Sequence, residues 1–122
     1  MKPVPVAVIP QLYDFVTWTS AKIATYPRAH RFTVGDRLIA GMLDALDQLI
    51  EAQYSPATRQ VALQQANAII ERVRYLVRLS KDLNCLSLAE YEHACHCLLG
   101  IGKMVGGWSR HQATRQSQAV PT

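Results

Sequence analysis

The hydrophobic and polar positions of residues 61–83, VALQQANAIIERVRYLVRLSKDL, repeat with the period of an α-helix. When each residue turns the chain by about 100°, the apolar residues gather on one broad face, which predicts a helix that packs in a hydrophobic core. The members of this face are Ala62, Leu63, Ala66, Ile69, Ile70, Val73, Leu76, Val77 and Leu83.

Two narrower surfaces accompany the core face of this helix. The first is a basic stripe beside one edge of the core face, formed by Arg74, Arg78 and Lys81. The second is a thinner apolar row along the back of the helix, which we call the outer seam and which consists of Val61, Ala68, Tyr75 and Leu79. The helix therefore offers a core face, a charged edge and a further contact surface.

Three more amphipathic segments predict helices over residues 10–26, 34–54 and 88–110, beside the helix at 56–82. Thr33, Ser55 and Ser87 stand where N-caps are expected, and Ser87 forms a capping box with Glu90. The Pro-rich residues 1–9 predict an extended arm, and the polar residues 112–122 predict a disordered tail. In the second and fourth helices the predicted inward positions include Leu43, Ile50, Leu88 and Cys95.

The chain shows no alternating pattern of the kind that predicts a β-strand. Four helices with short connections predict an all-α protein, an antiparallel up-down four-helix bundle over residues 10–111. With 122 residues the chain can build one domain with a real core.

Composition narrows the classes of function only a little. The net charge of +4 permits an acidic partner such as nucleic acid without requiring one. Three cysteines without a disulfide-framework spacing indicate a reducing compartment, the cytoplasm. The N-terminal residues lack the features of a signal peptide, and no apolar run reaches the length of a membrane span, so we expect no membrane association.

No catalytic or metal-binding constellation stands out. Asp44, Asp47 and Glu51 lie on the outer side of the second helix, where a solvated or partner-facing role is expected. His93 and Cys97 share a helix face, but four ligands cannot converge from this one helix, so we expect neither a metal nor a cofactor. The sequence thus predicts that the protein is not an enzyme.

The basic residues are the strongest candidates for a binding site. Arg74, Arg78 and Lys81 form the stripe described above, and Arg28 and Arg31 form a second cluster in a loop. Phosphate recognition needs several cations on one surface. Ion pairing of the helix arginines with Glu71 explains the pattern equally well. The sequence lacks the interleaved aromatic residues of a platform that stacks single strands.

The glycines of the fourth helix suggest a contact surface for another copy of the chain. Gly100 and Gly107 are one heptad apart on the outer face, with Met104 beside them. Glycine removes side chains and lets a second helix approach closely, although an early end of the helix is the alternative. Together with Ala68, Tyr75 and Leu79 of the outer seam, these residues predict self-association.

Four segments in order resemble a known family. They are PRAHRFTVGDRL, LDALDQLIEAQYS, ERVRYLVRLSKDLNCLS and GKMVGGW. Their order and spacing resemble the accessory variability protein (Avd) of diversity-generating retroelements, and the similarity spans about residues 13–110. The wider family includes the four-helix proteins encoded in intervening sequences of large-subunit ribosomal RNA genes.

The resemblance implies a homopentameric, ring-like barrel of four-helix bundles with a basic surface and no catalytic activity. It implies binding to the reverse transcriptase of the element and to its template RNA or RNA/cDNA, in support of mutagenic cDNA synthesis. Arg74 and Arg78 match the helix-three arginines of the family, whereas Arg28 and Arg31 fall in a loop where a structural role is equally plausible. The alternative is an interaction protein of the intervening-sequence type, unconnected with reverse transcription.

Overall fold

A computed structural model describes the backbone of residues 4–119 and the side-chain surroundings of residues 7–116. Within these residues there are helices and no strands, which confirms the all-α class. The elements in chain order are α1 (Val4–Ile23), α2 (Arg28–Arg31), α3 (Val34–Tyr54), a 3-10 turn (Pro56–Thr58), α4 (Arg59–Asp82) and α5 (Leu88–Ala119).

The four long helices surround one hydrophobic core in cyclic order. α3 packs on α1 and α4, and α5 packs on α4 and α1. The core face predicted for α4 is confirmed, because Ala62, Leu63, Ala66, Ile69, Ile70, Val73 and Val77 are all buried. Leu76 and Leu83 are half-buried at the edge of the same face.

Four predicted inward positions are wrong, because the core stripes are narrower than the sequence suggested. On α3 the buried face follows Leu38, Met42, Ala45, Leu49 and Ala52. Leu43 and Ile50 each follow a core residue directly, so they are turned about 100° away and are 45 % and 41 % exposed. On α5 the same holds for exposed Cys95, which follows buried Ala94, whereas Leu88 is exposed at the first position of the helix.

The first helix begins earlier than predicted. Residues 4–9 are helical and do not form an extended arm, and Pro10 lies inside α1. The buried residues of α1 have helical spacing and include Val8, Leu12 and Phe15. The core face therefore continues upstream of Pro10, and its burial stabilises the first turns of the helix. Residues 1–3 of the predicted arm lie outside the described residues.

The last helix continues beyond its predicted end at residue 110. α5 extends to Ala119, so residues 112–119 are helical where a disordered tail was predicted, and residues 120–122 lie outside the described part. The sequence from Gln112 to Ala119 contains neither glycine nor proline, which allows the helix to propagate. Residues 113–116 of this extension are exposed and add nothing to the core.

The three predicted N-caps have different outcomes. The capping box is confirmed: the Glu90 N–H donates to Ser87 Oγ at 3.1 Å, and the Ser87 N–H donates to Glu90 Oε1 at 2.9 Å. Thr33 is the N-cap residue of α3, but it makes no side-chain capping bond, because its hydroxyl donates to the carbonyl oxygens of Ala29 and His30. Ser55 makes no capping bond either, and its Oγ lies 2.7 Å from Thr58 Oγ1.

The length and hydropathy of the helices also bear on membrane insertion. Of the helices in the described residues, none combines the length and the apolar character needed to cross a bilayer.

Candidate nucleic-acid interface

A groove with a volume of about 300 Å³ lies between α4 and α5. It contains two arginines of the predicted basic stripe and two tyrosines, one from each helix. The residues that line it are Glu71, Arg74, Tyr75, Arg78, Tyr91, Cys95 and Leu98. The groove is therefore the place where the structure brings predicted binding residues together.

Arg74 is anchored in the wall of this groove. Its Nε lies 3.0 Å from Glu71 Oε2, and its Nη2 donates to the carbonyl oxygen of Leu98 at 3.4 Å. A Cβ at Gly102 would stand only 2.6 Å from Nη2, so the glycine makes the room that the guanidinium occupies. The Arg74 side chain is 33 % exposed, and it connects α4 to α5.

Arg78 lies one turn further along α4 and is exposed. No carboxylate of the described residues stands within ion-pair distance of it. Its charge acts on Tyr91. A hydrogen bond from the Tyr91 hydroxyl to Cys95, the Cys95 charge and burial raise the pKa of Tyr91, and Arg78 opposes this rise. Of the two arginines in the groove, Arg78 is the one whose guanidinium is available to an anion.

Lys81, the third member of the stripe, is half-buried at the end of α4. Its Nζ lies 5.5 Å from the ring centroid of Tyr91 and 3.9 Å from Asp82 Oδ1. The ammonium group thus borders the groove at its Tyr91 side, with a cation–π contact and a weak ion pair.

The cluster of Arg28 and Arg31 was predicted in a loop but lies on the short helix α2, and it does not line this groove. Arg31 Nη2 donates to the carbonyl oxygen of Tyr26 at 3.2 Å, just after the end of α1, and its guanidinium lies over the Phe32 ring. Arg28 is exposed on α2. Arg31 therefore has a structural contact of its own, whereas no ion pair of Arg28 is found within the described residues.

The residues predicted for self-association divide between two separate surfaces. In the outer seam Val61, Tyr75 and Leu79 are 56 %, 70 % and 44 % exposed, and Ala68 is exposed with them. On α5 nothing approaches within 4 Å of a Cβ built at Gly100, and Arg110 Nη2 stands 3.9 Å from one at Gly107.

Gly100 lies roughly 160° around α5 from Gly102, which faces Arg74 on α4. The outer α5 surface, with half-buried Met104 beside it, is therefore not continuous with the outer seam.

Sequence reasoning missed an apolar surface on the α1–α3 side. Tyr13, Leu43 and Ile50 are exposed there, and α3 beside them carries four acidic residues and one arginine, a net charge of −3 in a chain of net +4. The prediction that Leu43 and Ile50 point inward concealed this surface. The sequence feature that indicates this surface is the width of the apolar face on α3. That face is wider than the part of a helix that a four-helix core can bury.

His93 and Cys97 form a local pair of side chains. Cys97 Sγ lies 3.5 Å from His93 Nε2, the His93 ring packs 4.7 Å from the Trp18 ring, and burial raises the pKa of the Cys97 thiol. In the described part of the chain no three His, Cys, Asp or Glu side chains are placed to share a metal ion.

The fold and the groove define an all-helical protein with two arginines in a groove between α4 and α5. A profile of the bAvd-like family matches residues 7–112 and so covers all four long helices, and the chain belongs to this family. The resemblance to accessory variability proteins is thereby confirmed. No match was found among curated proteins or solved structures.

Proposed function

We propose that the protein is a non-enzymatic accessory factor of a diversity-generating retroelement, which binds the reverse transcriptase and the template RNA in the cytoplasm during mutagenic cDNA synthesis. Membership in the bAvd-like family, an accessory and non-catalytic family, supports this role. The observation that carries it is the α4–α5 groove, in which an exposed arginine lies beside a second, rigidly held one.

The electrostatics of the groove favour an anionic partner. Arg74 is largely compensated by Glu71, whereas Arg78 has its charge free for a phosphate or a carboxylate. Because Arg78 projects from a packed helix, less side-chain entropy is lost on binding than from a flexible tail. Arg28 and Lys81 are the secondary candidates for contacts with an anionic partner.

In this proposal the chain is an antiparallel up-down bundle that assembles into a homopentamer. Pairs of contacts with opposite chain direction support the antiparallel order: Gln60 meets Ser109 while Arg74 meets Leu98, and Lys22 meets Glu90 while Trp18 meets His93. The outer seam at Val61, Ala68 and Leu79 and the α5 surface around Gly100, Met104 and Gly107 would supply the two halves of a heterologous ring contact, while Tyr75 stays outside it in the groove.

The experiment is a co-purification of the protein with the reverse transcriptase and template RNA encoded beside it, at two salt concentrations. Arg78→Ala should weaken RNA retention and reduce its salt dependence, because fewer counterions are released. Arg72→Ala is the matched control, since Arg72 is an exposed arginine of the same helix outside the groove.

If Arg78→Ala and Arg72→Ala reduce RNA retention equally, the effect is a general electrostatic one, and the groove is not the binding site. A wild-type protein that retains neither the polymerase nor the RNA would contradict the retroelement role itself, and would favour an intervening-sequence type of function.

A further inference from the structure

Two tyrosines flank the free arginine of the groove. Tyr75 precedes Arg78 by about one turn on α4, and Tyr91 comes from the first turn of α5, so the three side chains border one cavity. The tyrosines are far apart in sequence, which is why the chain shows no aromatic pattern along its length. The interleaving of cations and aromatic rings exists only in the folded protein.

The chemistry of these side chains differs from that of a plain basic patch. Tyr75 is 70 % exposed, an unusual state for a ring beside a cavity, and it offers an open π-face. Tyr91 is half-buried, with Lys81 over its ring. Aromatic faces stack on nucleobases, whereas a guanidinium pairs with the phosphates between them.

We propose that this groove binds unpaired nucleotides of single-stranded nucleic acid, with a base stacked on Tyr75 and a neighbouring phosphate held by Arg78. The inference rests on the proposed function and names the form of nucleic acid that the site takes. A duplex does not fit this chemistry, because its bases are already stacked and hide their faces. The Glu71 carboxylate does not repel the strand strongly, since Arg74 neutralises it.

The site divides its tasks between the two helices. Tyr75 and Arg78 project from α4, while the α5 wall, with Leu98 and Cys95, closes the other side of the cavity. Arg74 fixes the distance between these walls by its bond to the Leu98 carbonyl oxygen. Arg74 is thus a positioning residue, and Tyr75 and Arg78 make the contacts.

Fluorescence anisotropy with a labelled oligouridine, an oligodeoxythymidine of the same length and an RNA duplex tests the proposal. Tyr75→Leu should weaken binding of both single strands by about fivefold to a hundredfold, which is the effect expected when one base loses its stacking partner. Tyr75→Phe keeps the ring and should bind as the wild type does.

The controls separate stacking from charge and from general surface effects. Tyr54→Leu removes a tyrosine that is 76 % exposed on α3, outside the groove, and should change nothing. Arg78→Ala should lower the slope of log affinity against log salt by about 0.7, the value for one phosphate contact on a single strand, while Tyr75→Leu should leave that slope unchanged.

Several outcomes would overturn the inference while leaving the proposed function intact. These are duplex binding as tight as single-strand binding, an equal effect of Tyr54→Leu and Tyr75→Leu, and dissociation of the assembly by Tyr75→Leu in light scattering. The last result would assign Tyr75 to the subunit contact instead. A wild-type protein that binds none of the three probes, in complex with the polymerase or alone, would defeat both proposals together.

Discussion

At the scale of single residues, two arginines one turn apart have different roles. Arg74 is held by Glu71 and by the Leu98 carbonyl oxygen, and its guanidinium fills the space above Gly102. Arg78 is exposed and has no ion-pair partner in the described part of the chain. Helical spacing alone assigns both to one stripe, and only the position of α5 distinguishes them.

The first prediction concerns the stability of these two variants. Arg74→Ala should lower the free energy of unfolding by about 1 kcal/mol, because a partly exposed ion pair and one hydrogen bond between helices are lost. Arg78→Ala should change it by less than about 0.5 kcal/mol, as exposed surface substitutions do. Urea unfolding followed by circular dichroism measures both. Equal destabilisation would mean that Arg78 also has a structural partner.

At the scale of secondary structure elements, the start of α5 is the best-defined helix end. The capping box of Ser87 and Glu90 satisfies two backbone N–H groups, and Lys22 of α1 lies 3.3 Å from Glu90 Oε2. The hydrogen bond from the Ser87 N–H lowers the pKa of Glu90, with Lys22 adding to the effect. The carboxylate therefore stabilises the helix end in its charged form.

This lowered pKa predicts a pH dependence of stability. The folded protein holds Glu90 charged more readily than the unfolded chain does, so the contribution is complete above the usual glutamate pKa of 4.5 and is lost as pH falls through the lowered value. Glu90→Gln should remove this acid-sensitive part of the unfolding free energy, so that wild type and variant converge in acid. Thermal melts between neutral and acidic pH measure it, with the exposed Glu92→Gln as control.

The helix ends show how far the sequence can predict this fold. The core face of α4, the Ser87 capping box and the all-α class follow from the sequence, whereas the faces of α3 and α5 follow only in part, because four predicted inward positions are exposed. Pro10 suggested a helix start, but buried Val8 shows that packing upstream outweighs the missing N–H of the proline. The groove was predicted in part: Arg74 and Arg78 are local in sequence, whereas Tyr91 and Gly102 belong to another helix.

The C-terminal part of α5 gives a prediction at the same scale. Residues 113–116 are helical but exposed, so they add hydrogen bonds within the helix and no burial. Deleting residues 113–122 should leave the melting temperature within about 2 °C of the full chain. A larger fall in a calorimetric scan would show that this stretch packs on the rest of the protein.

At the scale of the whole molecule, charge and apolar surface are unevenly distributed. α3 is acidic, so the remainder of the chain carries more positive charge than the net value of +4 for the whole chain indicates. Exposed apolar side chains occur on α4 at the outer seam and on the α1–α3 side with Tyr13. This distribution suits a protein with distinct surfaces for distinct partners, and net charge alone could not reveal it.

The last prediction tests self-association through the outer seam. Ala68 is exposed in the middle of the seam and is outside the groove, so Ala68→Glu places a charge in the expected subunit contact. We expect the wild type to be an oligomer, the pentamer of the proposed function. The variant should shift towards the mass of the 13.6 kDa chain in light scattering. Asp44→Lys on α3 changes charge without touching the seam and serves as the control. A 13.6 kDa wild type at micromolar concentration would contradict the ring.

The close approach of Arg74 to Gly102 has a consequence for how the family can vary. A methyl group at position 102 would stand where the Arg74 guanidinium now lies, so an alanine there displaces this guanidinium from the groove wall. If position 102 is not glycine, the Arg74 side chain is displaced. If position 74 is not arginine, Gly102 leaves a gap between α4 and α5. Among related chains an alanine at position 102 should therefore accompany an arginine that leaves the groove wall, a shift that costs little stability because the guanidinium is the end of a flexible side chain.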